Sequence, residues 1–96
     1  MANVSFKVYE RNTKESKNKL RKTGLIPGII FGEFLKESIP VKMCNAELHR
    51  MIRNNNSGSI ITLDLEDKKF NCVVKEIQKL SPREILHVSF QSVKPN

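Results

Sequence analysis

Apolar and polar residues alternate along most of this chain, and the places where the alternation fails carry as much information as the alternation itself. Val4, Phe6 and Val8 alternate with Ser5, Lys7 and Tyr9, which predicts a first strand with one buried face. Asn12 or Thr13 then caps a predicted short helix running to Lys22, with Glu15 in its first turn and Lys19, Arg21 and Lys22 at its end. That order of charge suits the helix dipole, and Gly24 ends the helix. Leu20 is the only apolar residue between Lys14 and Lys22, so this helix has little with which to grip a core.

Leu25 to Gly32 reads as a short buried strand, with Pro27 near its start and Gly32 at its close. Ile39, Val41 and Met43 alternate with Pro40 and Lys42 in a further strand. Asn45 caps a second helix from Ala46 to about Arg53, whose Leu48, Met51 and Ile52 fall at amphipathic spacing. Asn54 to Gly58 is a predicted loop. Ile61, Leu63 and Leu65 make the next strand, and Glu66-Asp67-Lys68-Lys69 turns the chain into a long strand from Phe70 to Lys79. Phe70, Cys72 and Val74 share one phase, but Glu76 takes the next apolar position and Ile77 is apolar instead. A slip of one residue inside a strand predicts a β-bulge near Lys75 or Glu76. After a turn at Ser81-Pro82-Arg83-Glu84, Leu86, Val88 and Phe90 form the predicted inner face of a last strand, with His87, Ser89 and Gln91 facing the other way. The fold expected is mainly β (α+β): a six-stranded mixed β-barrel with two or three short peripheral helices.

Length and charge narrow the picture. The 96 residues suit one domain over 1–96, with no additional C-terminal domain expected. Net charge is +7, of which +5 falls between Arg11 and Lys22, on Arg11, Lys14, Lys17, Lys19, Arg21 and Lys22 against Glu15 alone. Such concentration points to a polyanionic partner. In helical geometry Lys14, Lys17, Asn18 and Arg21 form one stripe without an acid, whose self-repulsion a phosphate backbone would relieve. An ordinary solvated lysine-rich helix is the competing reading. His87, Ser89 and Gln91, with Gln78 on the preceding strand, form a second constellation of groups that can read ribose hydroxyls and base edges. A plain hydrated sheet face competes there. Phe31 and Tyr9 are candidate stacking residues, although for Phe31 the residues alone favour core packing. His49 reads as a surface residue.

Other chemistries find little support. Cys44 and Cys72 lie among apolar neighbours and outside any CxxC pattern. His49 and His87 have no partner at metal-ligand spacing, and the four glycines form no phosphate loop. No cofactor, metal, small-molecule substrate or catalytic residue is expected, and no enzyme. The first residues carry no hydrophobic signal segment, and the longest near-apolar run, Leu25 to Phe31, is too short to span a bilayer. A cytoplasmic location and no membrane partner are the expectation.

Two blocks resemble a known family. Leu20-Arg21-Lys22-Thr23-Gly24-Leu25-Ile26-Pro27-Gly28-Ile29-Ile30-Phe31-Gly32 is similar to the leucine–arginine–x–x–glycine–x–isoleucine–proline–alanine–x–x–tyrosine–glycine block of the bacterial large-subunit ribosomal protein L-twenty-five family. The general stress protein Ctc is a relative of that family. Val74 to Lys79, followed by Ile85-Leu86-His87-Val88-Ser89-Phe90, resembles the family's valine–glutamine–arginine and leucine–histidine–valine–aspartate–phenylalanine signature. The likeness runs from Val4 to Val93. It implies a six-stranded barrel related to the anticodon-binding barrels of glutaminyl-tRNA synthetase, and binding to the minor groove of the loop E region of 5S rRNA in the 50S subunit. It implies RNA contacts at Lys14, Lys17, Asn18, Lys19 and Arg21, at Phe31 in place of the family's tyrosine, and at Gln78, His87 and Ser89. Arg11 and Lys22 extend the basic segment.

The chain departs from the family's pattern in three places. Thr13-Lys14-Glu15 replaces glycine–lysine–glycine, Phe31 lacks the tyrosine hydroxyl, and Ser89 replaces the aspartate. The partners expected are 5S rRNA and neighbouring large-subunit proteins, with a monomer off the ribosome. The competing expectations are a stress-related ribosome-associated factor using the same surface, and a protein-interaction barrel whose basic helix meets an acidic partner.

Overall fold

A computed structural model describes residues 4–54 and 58–94. In chain order the elements are β1 (Val4–Glu10), α1 (Lys17–Lys22), β2 (Leu25–Phe31), β3 (Ile39–Cys44), α2 (Asn45–Asn54), β4 (Ile61–Leu65), β5 (Lys68–Ser81) and β6 (Glu84–Lys94). The strands close into a barrel in the order β1-β3-β2-β6-β5-β4. β2 pairs with β6, and β1 with β4, in parallel, and the other neighbours are antiparallel. The β1–β4 ladder, from Val4 opposite Ile61 to Val8 opposite Leu65, completes the ring. Closure removes the open strand edges on which another chain could build. The mixed six-stranded barrel with two helices is the architecture expected from the alternation.

Period-two patterning fills the interior. Phe6 and Val8 of β1, Val41 and Met43 of β3, and Ile61, Leu63 and Leu65 of β4 are all buried in one core. The apolar stripe of α2 joins it through Leu48 and Met51, each burial contributing about 1.5–3 kcal/mol. The N–H of Asn45 donates to the carbonyl of Gly24 at 2.9 Å, which ties the start of α2 to the junction of α1 and β2. Asn54 closes α2, and residues 55–57 of the predicted loop lie outside the described residues. The β4–β5 turn is tighter than expected: Lys68 and Lys69 already pair with Leu65 and Asp64.

Four register shifts interrupt the β5–β6 ladder, and two of them decide which side chains of the candidate face point outward. Val74 lies opposite Phe90 and Glu76 opposite Ser89, so Lys75 is the extra residue of the expected bulge. Glu76 and Gln78 thereby turn outward, while Ile77 packs against the core. The second slip corrects the reading of β6. Gln78 faces His87 and Lys79 faces Ile85, leaving Leu86 without a partner. The inserted residue reverses the phase, so Ile85 rather than Leu86 is buried with Val88 and Phe90.

Candidate nucleic-acid interface

The basic segment folds differently from a single helical stripe. α1 begins only at Lys17, because Ser16 supplies the cap: its hydroxyl accepts from the Lys19 N–H at 3.3 Å. Asn12, expected as a cap, forms a closed turn instead. Its side-chain oxygen accepts from the Lys14 N–H at 2.9 Å, its carbonyl accepts from the Glu15 N–H at 2.9 Å, and its own N–H donates to Glu15 Oε1 at 3.0 Å. Lys14 therefore sits on a turn, outside the helix. Gly24, at φ +85°, ends α1 by taking the left-handed conformation that a glycine adopts without strain.

α1 lies over the outer side of β2, with one flank toward β3 and the other toward β6. Leu20 is buried there, yet it stands apart from the barrel core. On the β3 flank, Lys14, Glu15, Lys19, Leu20 and Lys42 line an open cleft of about 410 Å³. Glu15 pairs with Lys42 at 3.2 Å. The Lys42 ammonium, with the Asn12 N–H, holds this carboxyl below the usual carboxylate range. The acid in the basic segment is thus paired back onto β3. On the β6 flank, Arg21 Nη1 donates to the Leu86 carbonyl at 3.1 Å and Nη2 to Asn18 Oδ1 at 2.6 Å. Arg11 is half-buried and donates to the Glu15 carbonyl at 3.1 Å, which makes it a brace for the turn. Lys14, Lys17, Asn18, Lys19 and Lys22 are exposed.

Beside α1 lies the outward face of β2, β6 and β5. Gln78 faces His87 and Glu76 faces Ser89 across β5–β6. Ile29 lies beside Ser89, and Phe31 beside Gln91, across β2–β6. Residues opposite one another in a ladder share a side, so these groups form one surface. Phe31, which its apolar neighbourhood assigned to the core, is instead partly exposed at the edge of this face and outside the core cluster. Tyr9 is exposed on β1, paired with Lys42.

Electrostatics ties the two constellations together. Burial pushes the His87 imidazole below its ordinary value, and the charges of Lys17, Arg11 and Arg21 push it the same way against Glu76. An uncharged imidazole can accept at one nitrogen and donate at the other, as hydrogen-bond readout requires. The structure therefore brings Lys17, Asn18 and Arg21 together with His87, Ser89 and Gln78, whereas Lys14 and Lys19 occupy the far flank of α1.

Sequence reasoning did not place Glu76 on this face, where it lies exposed opposite Ser89. The bulge it predicted was the available signal, since the bulge is what aims Glu76 outward. It also missed the Leu86 carbonyl, for which side-chain pattern gives no sign. A second basic cleft of about 320 Å³ lies between α2 and the β5–β6 turn, lined by Asn45, His49, Arg53, Pro82 and Arg83. His49 is only partly exposed there. Among the described residues no cluster of His, Cys, Asp and Glu could hold a metal ion, and no helix is long and apolar enough to cross a membrane.

Comparison with known proteins gives a consistent picture. The chain is 38% identical over 85 residues to the large ribosomal subunit protein bL25 of Lysinibacillus sphaericus, an alignment covering 88% of this chain and 42% of that protein. Its likeness to the protein of the same name from a Thermoanaerobacter species is 32% over 95 residues, covering 97% and 47%. For that of Listeria monocytogenes it is 30% over 96 residues, covering 97% and 46%. The chain thus spans a little under half the length of these relatives. Residues 6–90 match the family described as the Ribosomal L25p family, and the chain belongs to it.

Proposed function

We propose that this chain is a structural, RNA-binding constituent of the large ribosomal subunit in the bacterial cytoplasm, and that its RNA is the loop E region of 5S rRNA. One observation carries this reading: the Arg21–Leu86 hydrogen bond at 3.1 Å joins the basic helix to the strand bearing His87 and Ser89. Charge for phosphates and neutral groups for base edges and ribose thus share one surface. The names of the relatives support the ribosomal part.

The roles divide by chemistry. Lys14, Lys17, Lys19 and Lys22 meet phosphates and supply affinity that carries little sequence information. Asn18, Gln78, His87 and Ser89 read 2′-hydroxyls and base edges in a wide, shallow minor groove, and Phe31 offers a ring at the margin. Arg21 positions α1 and adds its charge. No reaction and no cofactor enter this role. Neighbouring large-subunit proteins are further partners, and the chain is a monomer off the ribosome.

A gel shift with 5S rRNA against a loop E-deleted form, at 50 and 200 mM salt, tests the reading. Roughly five phosphate contacts give a log–log salt slope of about −4 to −5. Clear preference for intact 5S rRNA is expected, and equal binding to both RNAs would refute the assignment. Capture of an acidic protein, indifferent to ribonuclease, would favour the protein-interaction barrel.

A further inference from the structure

We propose that Glu76 is a specificity-determining residue of this face: its carboxylate accepts a hydrogen bond from a neutral donor in the RNA minor groove and keeps phosphates off the centre of the surface. The proposal rests on the RNA-binding reading above and deepens it.

Glu76 lies outward because of a built feature of the fold. In β5 the buried Cys72 and the core-packed Val74 set the inward phase, and the next residue in that phase would be Glu76. The bulge at Lys75 turns Glu76 outward and places it directly opposite Ser89. Bulges re-aim side chains in this way next to functional surfaces. Gln78, on the same side, donates to Glu76 Oε1 at 3.4 Å, a long bond that leaves acceptor capacity on both oxygens. Among the described residues the ion pair recorded joins Lys42 to Glu15, and Glu76 has no such cation partner. Its charge nevertheless reaches His87, on the side where Lys17, Arg11 and Arg21 gather.

An exposed carboxylate without a cation has a defined effect on a polyanion. It repels any phosphate laid over it, so the backbone is confined to α1 and its flanks. It is satisfied only by a donor. In the minor groove the pyrimidine and adenine edges offer acceptors, and the donors are the guanine amino group and the ribose 2′-hydroxyl. A carboxylate here therefore discriminates by rejection as well as by attraction. The basic helix cannot supply this discrimination, because phosphate contacts are alike on every duplex.

The test uses the full chain, the Glu76→Gln variant and four RNAs: a loop E duplex, the same duplex with guanines replaced singly by inosine, the same with single 2′-deoxy substitutions, and an unrelated duplex of equal length. Inosine lacks the amino donor, and the deoxy sugar lacks the hydroxyl. Glu76→Gln should bind the unrelated duplex several-fold more tightly, since one negative charge is gone, and its preference for loop E should fall roughly tenfold. One single substitution should weaken the wild type about tenfold and the variant less than twofold; the arm in which this occurs identifies the donor. Equal gains on every RNA, or identical substitution penalties in both proteins, would overturn the role. Failure of the wild type to prefer loop E at all would instead overturn the RNA-binding reading itself.

Discussion

Replacing Leu20 by alanine should release α1 while leaving the barrel standing. Leu20 is the only buried side chain of this six-residue helix, and it packs outside the barrel core. A Leu→Ala change at a packed site costs about 2–5 kcal/mol, and at the rim of the fold, where neighbours can settle, the lower half of that range applies. Among the remaining ties, the side-chain contacts that hold the segment to the barrel strands are the Arg21–Leu86 hydrogen bond and the Glu15–Lys42 pair, both part-exposed. The part-exposed ion pair contributes about 1 kcal/mol or less, and the charged hydrogen bond from Arg21 about 1.5–3 kcal/mol at most. Losing about 2–3 kcal/mol shifts the docked helix toward release by roughly 30- to 150-fold. A released segment this short does not stay helical.

Local release and global destabilisation predict different numbers. If the full loss fell on global stability, melting would drop by roughly 8–24 °C for a domain of this size. Local release predicts a fall of less than about 5 °C, because the strand ladders and the barrel interior keep their contacts. Amide exchange gives the sharper test. The N–H groups of Leu20, Thr23 and Gly24, bonded to Ser16, to Lys19 and Leu20, and to Arg21, should lose protection in Leu20→Ala while the β1–β4 ladder keeps its own. RNA affinity should fall with the docked fraction, on the order of tenfold or more. A large melting drop with simultaneous loss of barrel protection would refute the reasoning, as would unchanged RNA affinity with α1 amides exposed.

Lys17→Ala combined with Lys19→Ala removes one cation from each flank of α1 and spares the Arg21–Leu86 bond, so the RNA salt slope should flatten by about two units; an unchanged slope would exclude these lysines from phosphate contact. His87 is held below its ordinary 6.5, so the unfolded chain takes up a proton before the folded one as pH falls. The stability gained from a neutral imidazole is complete above about pH 6.5 and is lost as pH drops from there toward the lower folded value. Denaturant melts of His87→Gln should show a flatter profile between about pH 5 and 7 than the parent, and parallel profiles would contradict this. Burial pushes the Cys72 thiol up to about 12, whereas Cys44 is only half-buried. A thiol reagent near pH 8 should consume one equivalent in the native protein and two in denaturant. Two equivalents in the native protein would show that the barrel opens.

Where one face of a strand is buried, sequence alone reads the fold well. Ile61, Leu63 and Leu65 alternate because the core excludes water from every second position, and the slip at Glu76 and Ile77 betrays the Lys75 bulge because a charge falls where an apolar residue was due. The Leu86 bulge escapes the same logic. Ile85 and Leu86 are both apolar, so either can be the inward residue without breaking the pattern. The start of α1 is misplaced by the pattern, which offers Asn12 or Thr13 as the cap; Ser16 has equally good capping chemistry, and the turn bonds that draw Asn12 out of that role are not visible in side-chain spacing. The pairing of Glu15 with Lys42 spans 27 residues and depends on β3 lying beside β2, which periodicity does not encode. Phe31 sits in an apolar run whose outward members look like its inward ones, and only the register opposite Gln91 settles its side.

The bulges at Lys75 and Leu86 make the candidate surface a single unit. Arg21 and Leu86 are 65 positions apart in the chain, yet the hydrogen bond between them fixes α1 against the strand carrying His87 and Ser89. The acceptor belongs to the residue that the ladder leaves without a partner, which is where a carbonyl is open to an outside donor. If β6 slipped by one position, His87 and Ser89 would turn to the interior and α1 would lose its acceptor in the same step. Position of charge and position of the hydrogen-bonding groups are therefore set by one register. The bulge at Lys75 does the same for β5, bringing Glu76 and Gln78 to the side that Ser89 and His87 occupy. A regular barrel of the same strands would bury Glu76 and leave the basic segment held by Leu20 and the Glu15–Lys42 pair, without a tie to β6. The irregularities in β5 and β6 thus convert a closed barrel with a loosely attached helix into a surface with fixed spacing between its cations and its hydrogen-bonding groups. Fixed spacing of that kind is what recognition of a particular RNA shape requires.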